Sequence, residues 1–137
     1  MTTTPALLDT SVLLARESGR RLDLDLDLDL LPEQTAVSVV TIAELHAGVL
    51  AAKDTPTRAR RLATLDALAS VKPLSVTTEA ARRWAALRVR LAEQGRRAKI
   101  NDLWIAAVAA ANAMVVVSQD DDFDDIETAG GPAVVRV

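Results

Sequence analysis

Met114-Val115-Val116-Val117-Ser118 is the stretch of sequence that decides the fold. A run of β-branched residues this short is typical of a strand that is buried on both faces, as strands of a parallel sheet are. Four other short segments predict further strands: residues 6–8, 36–40, 71–76 and 133–137. Pro73 restricts the segment 71–76 to an edge of the sheet, because proline cannot donate a hydrogen bond to a neighbouring strand.

Helical patterns alternate with these segments along the chain. The spacing of apolar residues predicts helices over residues 11–18, 41–52, 57–70, 77–94 and 101–113. Strands that alternate with helices indicate an α/β protein, with a mostly parallel sheet between two layers of helices. The chain has 137 residues, 50% of them hydrophobic, so we expect residues 1–137 to form a single domain.

The composition excludes several classes of site. Without cysteine the chain cannot form disulfides, zinc–thiolate sites or a catalytic thiol. A single histidine, His46, excludes three-histidine zinc sites and leaves only one candidate imidazole base. The longest apolar run, residues 103–111, is too short to cross a membrane. Together these features predict a cytoplasmic protein without a membrane span.

The segment 22–30 is a Leu-Asp repeat of low complexity. Its period of two resembles a strand, but aspartate is disfavoured in strands. Alternate carboxylates would also stand about 6.6 Å apart along a strand, too far apart to chelate one small ion. We therefore expect a solvated loop or an irregular edge here.

Four acidic residues are predicted at the edge of the sheet where parallel strands end, which is where open α/β sheets bind ligands. Asp9 directly follows the first strand, and Asp120 follows the strand of valines. Glu44 and Asp102 each lie in the first turn of a predicted helix. The sequence therefore predicts a cluster of carboxylates at one edge.

Each of these acids also has a purely structural interpretation. Thr41 and Glu44 match the spacing of a capping box, and Asn101 could cap the helix that carries Asp102. The other two acids could be ordinary turn residues. Both interpretations remain open for each residue taken singly.

Taken together, the acids favour a metal site. Their neighbours in sequence are strongly apolar, and burial of carboxylates is costly unless a cation compensates for it. Oxygen ligands without cysteine, and with one histidine in the chain, select Mg²⁺ or Mn²⁺ over zinc or copper. A carboxylate-bound Mg²⁺ suits phosphoryl chemistry.

The chain resembles the PIN-domain ribonucleases, and within them the VapC-type toxins of bacterial toxin-antitoxin pairs. Four segments carry the resemblance, in the order of the family: residues 7–13 (LLDTSVL), 41–48 (TIAELHAG), 101–107 (NDLWIAA) and 116–123 (VVSQDDDF). The resemblance implies a three-layer PIN-like fold with a five-stranded parallel sheet. It also implies a Mg²⁺- or Mn²⁺-dependent endoribonuclease that leaves a 5′-phosphate and a 3′-hydroxyl.

The resemblance also implies roles for individual residues. Asp9, Glu44, Asp102 and Asp120 correspond to the catalytic acids, and Asp9, Asp102, Asp120 and Asp122 to the metal ligands, with the fourth position open between Asp120 and Asp122. Thr10 and Ser118 correspond to residues that support the site. The implied partners are an RNA substrate, a VapB-type antitoxin, and a second copy of the chain in a homodimer and in a toxin-antitoxin hetero-oligomer. Leu45, Val49 and Leu50 could line an apolar groove for the antitoxin.

A basic segment precedes Asp102. Residues 82–99 carry seven basic residues and one acid, a local charge of +6 within a chain whose net charge is −3. The candidates for RNA contacts are Arg82, Arg83, Arg90, Arg96, Arg97 and Lys99. They could form a solvated face, or a track for RNA phosphates that leads to the acids. Trp84 and Trp104 are predicted to pack in the core rather than to stack on bases.

Two other classes of function remain open from the sequence. A non-catalytic PIN-like or receiver-like binding module would bind without cleavage, although a receiver domain needs a second acid beside Asp9. A haloacid-dehalogenase-type phosphatase would need an aspartate where Ser11 stands. Assays against RNA and against p-nitrophenyl phosphate separate these classes.

Overall fold

A computed structural model of the protein describes residues 4–19 and 35–137. The elements in chain order are β1 (Ala6–Leu8), α1 (Thr10–Glu17), β2 (Thr35–Ala36), α2 (Val39–Ala51), α3 (Thr55–Asp66), α4 (Thr78–Glu93), α5 (Ile100–Ala111), β3 (Val115–Ser118), α6 (Asp124–Thr128) and β4 (Val134–Arg136). The Leu-Asp repeat at 22–30 lies outside the described residues.

The sheet is fully parallel, with strand order β2-β1-β3-β4. The register pairs Leu7 with Val116 and Leu8 with Val117 across the two central strands. From β1 the chain moves outward to β2 on one side, and from β3 it moves outward to β4 on the other. The carboxyl ends of β1 and β3 therefore flank a topological switch point, the place where such sheets bind ligands.

Helices cover both faces of the sheet, as the alternating side chains of the strands require. Leu7 and Val116 point to one face, where α4, α5 and α6 contribute Leu87, Ile105 and Ile126 to a buried core. Leu8 and Val117 point to the other face and pack with Val12, Leu13 and Leu45 of α1 and α2. This arrangement confirms the predicted three-layer α/β/α fold.

The predicted strand 36–40 is wrong in its second half. Only Thr35–Ala36 is a strand, and α2 already begins at Val39. Ser38 ends the extended segment, because its buried hydroxyl accepts a hydrogen bond from the Thr41 amide at 3.2 Å and caps the helix. A favourable cap thus outweighs the strand preference of two valines.

The predicted fifth strand, residues 71–76, is reduced to a single bridge between Leu74 and Ser38. The Val39 amide donates to the Leu74 carbonyl, and the Leu74 amide donates to the Val37 carbonyl, both at 2.9 Å. The segment thus lies at the edge of the sheet as predicted. It cannot extend, because Pro73 has no donor and the neighbouring chain turns into α2. The described residues therefore form four strands rather than five.

Several helix boundaries also differ from those predicted. Helix α3 begins at Thr55, since Asp54 caps it by accepting from the Thr57 amide at 2.8 Å, and it ends at Asp66. Asn101 does not cap α5, because the helix begins one residue before it. The short helix α6 was not predicted. In the part of the chain that the structure describes, no helix is long and apolar enough to cross a membrane.

Candidate active site at the carboxyl edge of the sheet

Asp9 is buried at the carboxyl end of β1, where it caps α1. The residue is only 4% exposed, and its Oδ2 accepts hydrogen bonds from the Ser11 hydroxyl at 2.7 Å and from the Ser118 hydroxyl at 3.1 Å. Burial raises the pKa of Asp9 above its ordinary value, and the two hydroxyls oppose that rise. Hydroxyls from α1 and β3 therefore hold the carboxylate in one position.

Ser11 and Ser118 join the ends of β1 and β3. Their hydroxyl oxygens lie 3.2 Å apart. The Ser11 hydroxyl also accepts a hydrogen bond from the Gln119 amide at 3.0 Å, and the Ser118 hydroxyl accepts one from the Asp120 amide at 3.1 Å. The sequence predicts a supporting role for Ser118 but not for Ser11. A signal was present, because a serine two residues after a helix-capping aspartate can reach back to its carboxylate.

Glu44 lies inside α2 and not in its first turn. The Thr10 hydroxyl donates to Glu44 Oε1 at 2.8 Å and lies 3.0 Å from the buried Thr41 hydroxyl. The capping-box interpretation is wrong, since Ser38 caps the helix and Glu44 bonds a side chain of α1 instead. Thr10 thereby connects Glu44 to the end of β1, directly beside Asp9.

Asp102 lies in the first turn of α5, as predicted, and it is the most perturbed acid of the site. Burial, followed by the charges of Asp9 and Asp122, raises the pKa of Asp102 to about 7, and the charge of Glu44 adds to this rise. Its Oδ2 atom is buried without a hydrogen-bond partner among the described residues. The carboxylates from β1, α2 and α5 therefore lie close enough to repel one another.

The acidic segment after β3 is tied to basic residues by three ion pairs. They join Lys99 to Asp122 at 2.9 Å, Arg96 to Asp125 at 2.9 Å, and Arg136 to Asp124 at 2.7 Å. Of the two candidates for the fourth acid, Asp120 is exposed and Asp122 is half-buried. Within residues 4–19 and 35–137, no three His, Cys, Asp or Glu side chains, as placed, converge closely enough to hold one metal ion.

The predicted RNA-contact residues fall into two groups. Arg96, Arg97 and Lys99 lie in the connection from α4 to α5, and Arg97 and Lys99 line a cavity of about 430 Å³ together with Asp121 and Asp122. The second group lies along α4. Arg82 and Arg83 pair with Glu79, and Arg90 approaches the Ala129 carbonyl. Arg82 is about 16 Å from the end of the helix, at 1.5 Å per residue.

The two tryptophans stack on each other, with ring centroids 4.8 Å apart and planes inclined by 16°. Trp84 packs against the core of the sheet face that carries α4 and α5, and the Arg88 guanidinium lies 5.2 Å from its ring centroid. Trp84 is thus in contact with a second ring, a guanidinium and the core, which agrees with the predicted structural role. His46 is exposed on α2.

A second cavity, of about 630 Å³, lies between α1, β2 and α3. Leu8, Leu13, Ala63 and Leu68 contribute to its walls, and none of the predicted acids lines it. Since the acids with raised pKa values lie at the carboxyl edge of the sheet, we regard that edge as the candidate active site.

The PIN domain family matches residues 6–129 of this chain. The chain belongs to the PIN-domain family. This confirms the resemblance given by the four sequence segments, and the match spans all of the site described above. The roles of the individual acids remain predictions.

Among curated proteins, this PIN domain is 55% identical to Ribonuclease VapC5 of Mycobacterium tuberculosis over 139 residues, covering 100% of both chains. It is 38% identical to Ribonuclease VapC4 of the same organism over 119 residues, covering 86% of this chain and 88% of that protein. A crystal structure of VapBC-5 from M. tuberculosis, a member of the VapBC family of toxin-antitoxin systems, matches with a TM-score of 0.82 and 49% identity. That match covers 98% of this chain and 100% of that one.

Proposed function

We propose that this PIN domain, residues 1–137, is a divalent-metal-dependent endoribonuclease and the toxin of a toxin-antitoxin pair. The observation that carries the proposal is the partly buried Asp102 carboxylate, whose Oδ2 atom has no hydrogen-bond partner among the described residues and which lies in the field of the buried Asp9. A bound divalent cation would offset both the repulsion between these two acids and the cost of burying them in ionised form. The similarity to two ribonucleases, one of them over its full length, supports RNA as the substrate.

The residues present fit a Mg²⁺ or Mn²⁺ ion. Asp9 and Asp102 would hold it together with Asp120 or Asp122, since hard carboxylate oxygens are the ligands that these ions prefer. Asp9 is already fixed by two hydroxyls, and Asp102 has a buried oxygen without a partner. The acids after β3 are more exposed, so rotation of their side chains can complete the ligand set.

The ion, when bound, supplies the positive charge and Lewis acidity that hydrolysis of a phosphodiester requires. The chain's own side chains orient the reactants. Ser11 and Ser118 hold the Asp9 carboxylate in place as a ligand, and Thr10 holds Glu44 at 2.8 Å, so Glu44 would accept the one proton that an attacking water loses. In-line attack by this water on phosphorus would break the bond to the 3′ oxygen, which takes a proton from solvent, and would leave a 5′-phosphate and a 3′-hydroxyl.

The basic connection between α4 and α5 supports a path for the RNA backbone. Arg97 and Lys99 line a cavity with Asp122, and Arg96 pairs with Asp125 nearby, so phosphates held there would lie close to the ion. Arg82, Arg83 and Arg90 could extend this path along α4.

The proposed partners follow from the similarity to the toxin-antitoxin structure. We expect a VapB-type antitoxin, a homodimer of this chain and a hetero-oligomer of both proteins in the cytoplasm. Helix α2 offers a contact surface, since Leu50 is 82% exposed while Leu45 of the same helix is buried.

Incubation of the purified protein with RNA and with p-nitrophenyl phosphate, each with Mg²⁺, Mn²⁺ or EDTA, tests the proposal. We expect metal-dependent cleavage of RNA alone. Asp9→Asn and Asp102→Asn should each abolish cleavage and leave the circular dichroism spectrum unchanged, whereas Asp66→Asn, at an exposed position at the end of α3, should cleave like the wild type. Phosphatase activity, or full RNase activity in both site variants, would contradict the proposal.

A further inference from the structure

Lys99 forms an ion pair with an acid of the candidate site. Its Nζ donates to Asp122 Oδ2 at 2.9 Å. The other two ion pairs of the acidic segment involve Asp124 and Asp125, which are not among the predicted ligands. In the part of the chain that the structure describes, Lys99 is thus the basic residue paired with a predicted ligand.

The position of Lys99 keeps its ammonium group near the other acids. Lys99 stands at the start of α5, three residues before Asp102, and its side chain makes no cap to the helix. The charges of Asp122, Asp102 and Asp120 all raise the pKa of Lys99, with Asp122 acting most strongly. One ammonium group therefore lies in the field of three predicted site acids.

We propose that the Lys99 ammonium is a tethered counter-ion of the acidic site, which competes with the divalent ion for the same carboxylates. This inference rests on the proposed metal dependence. A divalent ion near Asp102 and Asp122 repels the ammonium, and the pair is exposed enough to break readily, since 74% of the Lys99 side chain is accessible. Binding of the ion releases Lys99 from Asp122, and Lys99 then becomes available to an RNA phosphate.

The competition predicts that Lys99 weakens metal binding. Removal of one positive charge beside the site should tighten the binding of the ion about three- to tenfold. This is the range expected for a partly screened charge next to a metal ligand. The difference should shrink as salt is added, because the Debye length falls to about 3 Å at 1 M salt. A loss of packing or folding would not depend on salt in this way.

The test measures the binding of Mn²⁺ to the full chain through the electron paramagnetic resonance signal of free Mn²⁺. Lys99→Met removes the charge and keeps the aliphatic stem. Lys99→Arg keeps the charge. Lys53→Met removes the charge of another exposed lysine, just beyond the end of α2, and serves as the matched control. Circular dichroism and RNA cleavage are recorded for each protein.

We expect Lys99→Met to bind Mn²⁺ three- to tenfold more tightly than the wild type at 0.1 M salt, with little difference at 1 M. Lys99→Arg and Lys53→Met should stay within twofold of the wild type. Equal or weaker binding by Lys99→Met, or tighter binding by Lys99→Arg, overturns the competition while metal-dependent RNA cleavage by the wild type keeps the proposed function intact. Absence of Mn²⁺ binding to all four proteins overturns both.

Discussion

Replacement of Asp102 by asparagine should stabilise the metal-free protein at alkaline pH. Burial and the neighbouring charges raise the pKa of Asp102 from 3.8 to about 7 in the folded protein. Each unit of pKa corresponds to about 1.4 kcal/mol, so the difference sets an upper limit of about 4 kcal/mol on the penalty for ionisation in the fold. The side chain is partly exposed, and solvent screening reduces this to about 2 kcal/mol.

The direction of the pH dependence follows from where each state of the protein ionises. The unfolded chain loses the Asp102 proton near pH 4, whereas the folded chain keeps it until about pH 7. The contribution of this group to stability is therefore complete below pH 4 and is lost as the pH rises through 7. Asparagine cannot ionise, so the stability of the variant does not fall in this way as the pH rises.

Urea and thermal unfolding in EDTA at pH 4 and pH 8 measure the effect. At pH 8 Asp102→Asn should be more stable than the wild type by about 2 kcal/mol, or about 6 °C in Tm. At pH 4 the two proteins should agree within about 0.5 kcal/mol. Asp66→Asn should follow the wild type at both values. An equal difference at pH 4 and pH 8, or a less stable Asp102→Asn at pH 8, would refute the electrostatic reasoning.

Three further predictions address the supporting contacts. Thr10→Val removes the hydroxyl that holds Glu44 at 2.8 Å, so it should destabilise the protein by about 1–2 kcal/mol and slow RNA cleavage about tenfold, as unfolding and cleavage assays would report. Gly131→Ala would place its Cβ 2.7 Å from a backbone oxygen of α6, and should lower the free energy of unfolding by about 1–3 kcal/mol in urea. Arg96→Glu combined with Arg97→Glu should weaken RNA binding and reduce the slope of log Kd against log salt by about 2.

Each of these variants has a matched control elsewhere in the chain. Thr64→Val also removes a hydroxyl donor to a glutamate, but away from the acids, and should leave cleavage unchanged. Gly48→Ala meets only ordinary contacts inside α2 and should not destabilise. Arg58→Glu with Arg60→Glu reverses two charges on α3 and should not alter the salt slope. If control and test variants behave alike, the corresponding contact has no special role.

The sequence predicts the layers of this fold because burial leaves a direct pattern in it. The consecutive valines of β3 face both helical layers, so their apolar run indicates a central strand. The prediction from sequence fails where helix capping competes with strand preference. Ser38 caps α2 with its hydroxyl, so the helix begins two residues before the predicted start. The length of the edge strand at Leu74 also depends on where its neighbour turns, which no local pattern encodes.

The candidate site is predictable to a different degree for each residue. Asp9 and Asp102 stand at element ends that the sequence locates well, and the structure places both there. The contact of Glu44 with Thr10 spans 34 residues, so local spacing suggested a capping box instead. The pairing of Lys99 with Asp122 likewise depends on tertiary packing, because it joins the start of α5 to the turn after β3.

The most direct test of the account is the chemistry of the RNA ends produced by the purified protein with and without Mg²⁺ or Mn²⁺. We expect cleavage that stops in EDTA, resumes when the ion is restored, and leaves a 5′-phosphate and a 3′-hydroxyl, because water attacks phosphorus and the bond to the 3′ oxygen breaks. Cleavage that continues in EDTA and leaves a 2′,3′-cyclic phosphate would contradict it, because the RNA's own 2′-hydroxyl would then be the nucleophile and the carboxylates would hold no catalytic ion.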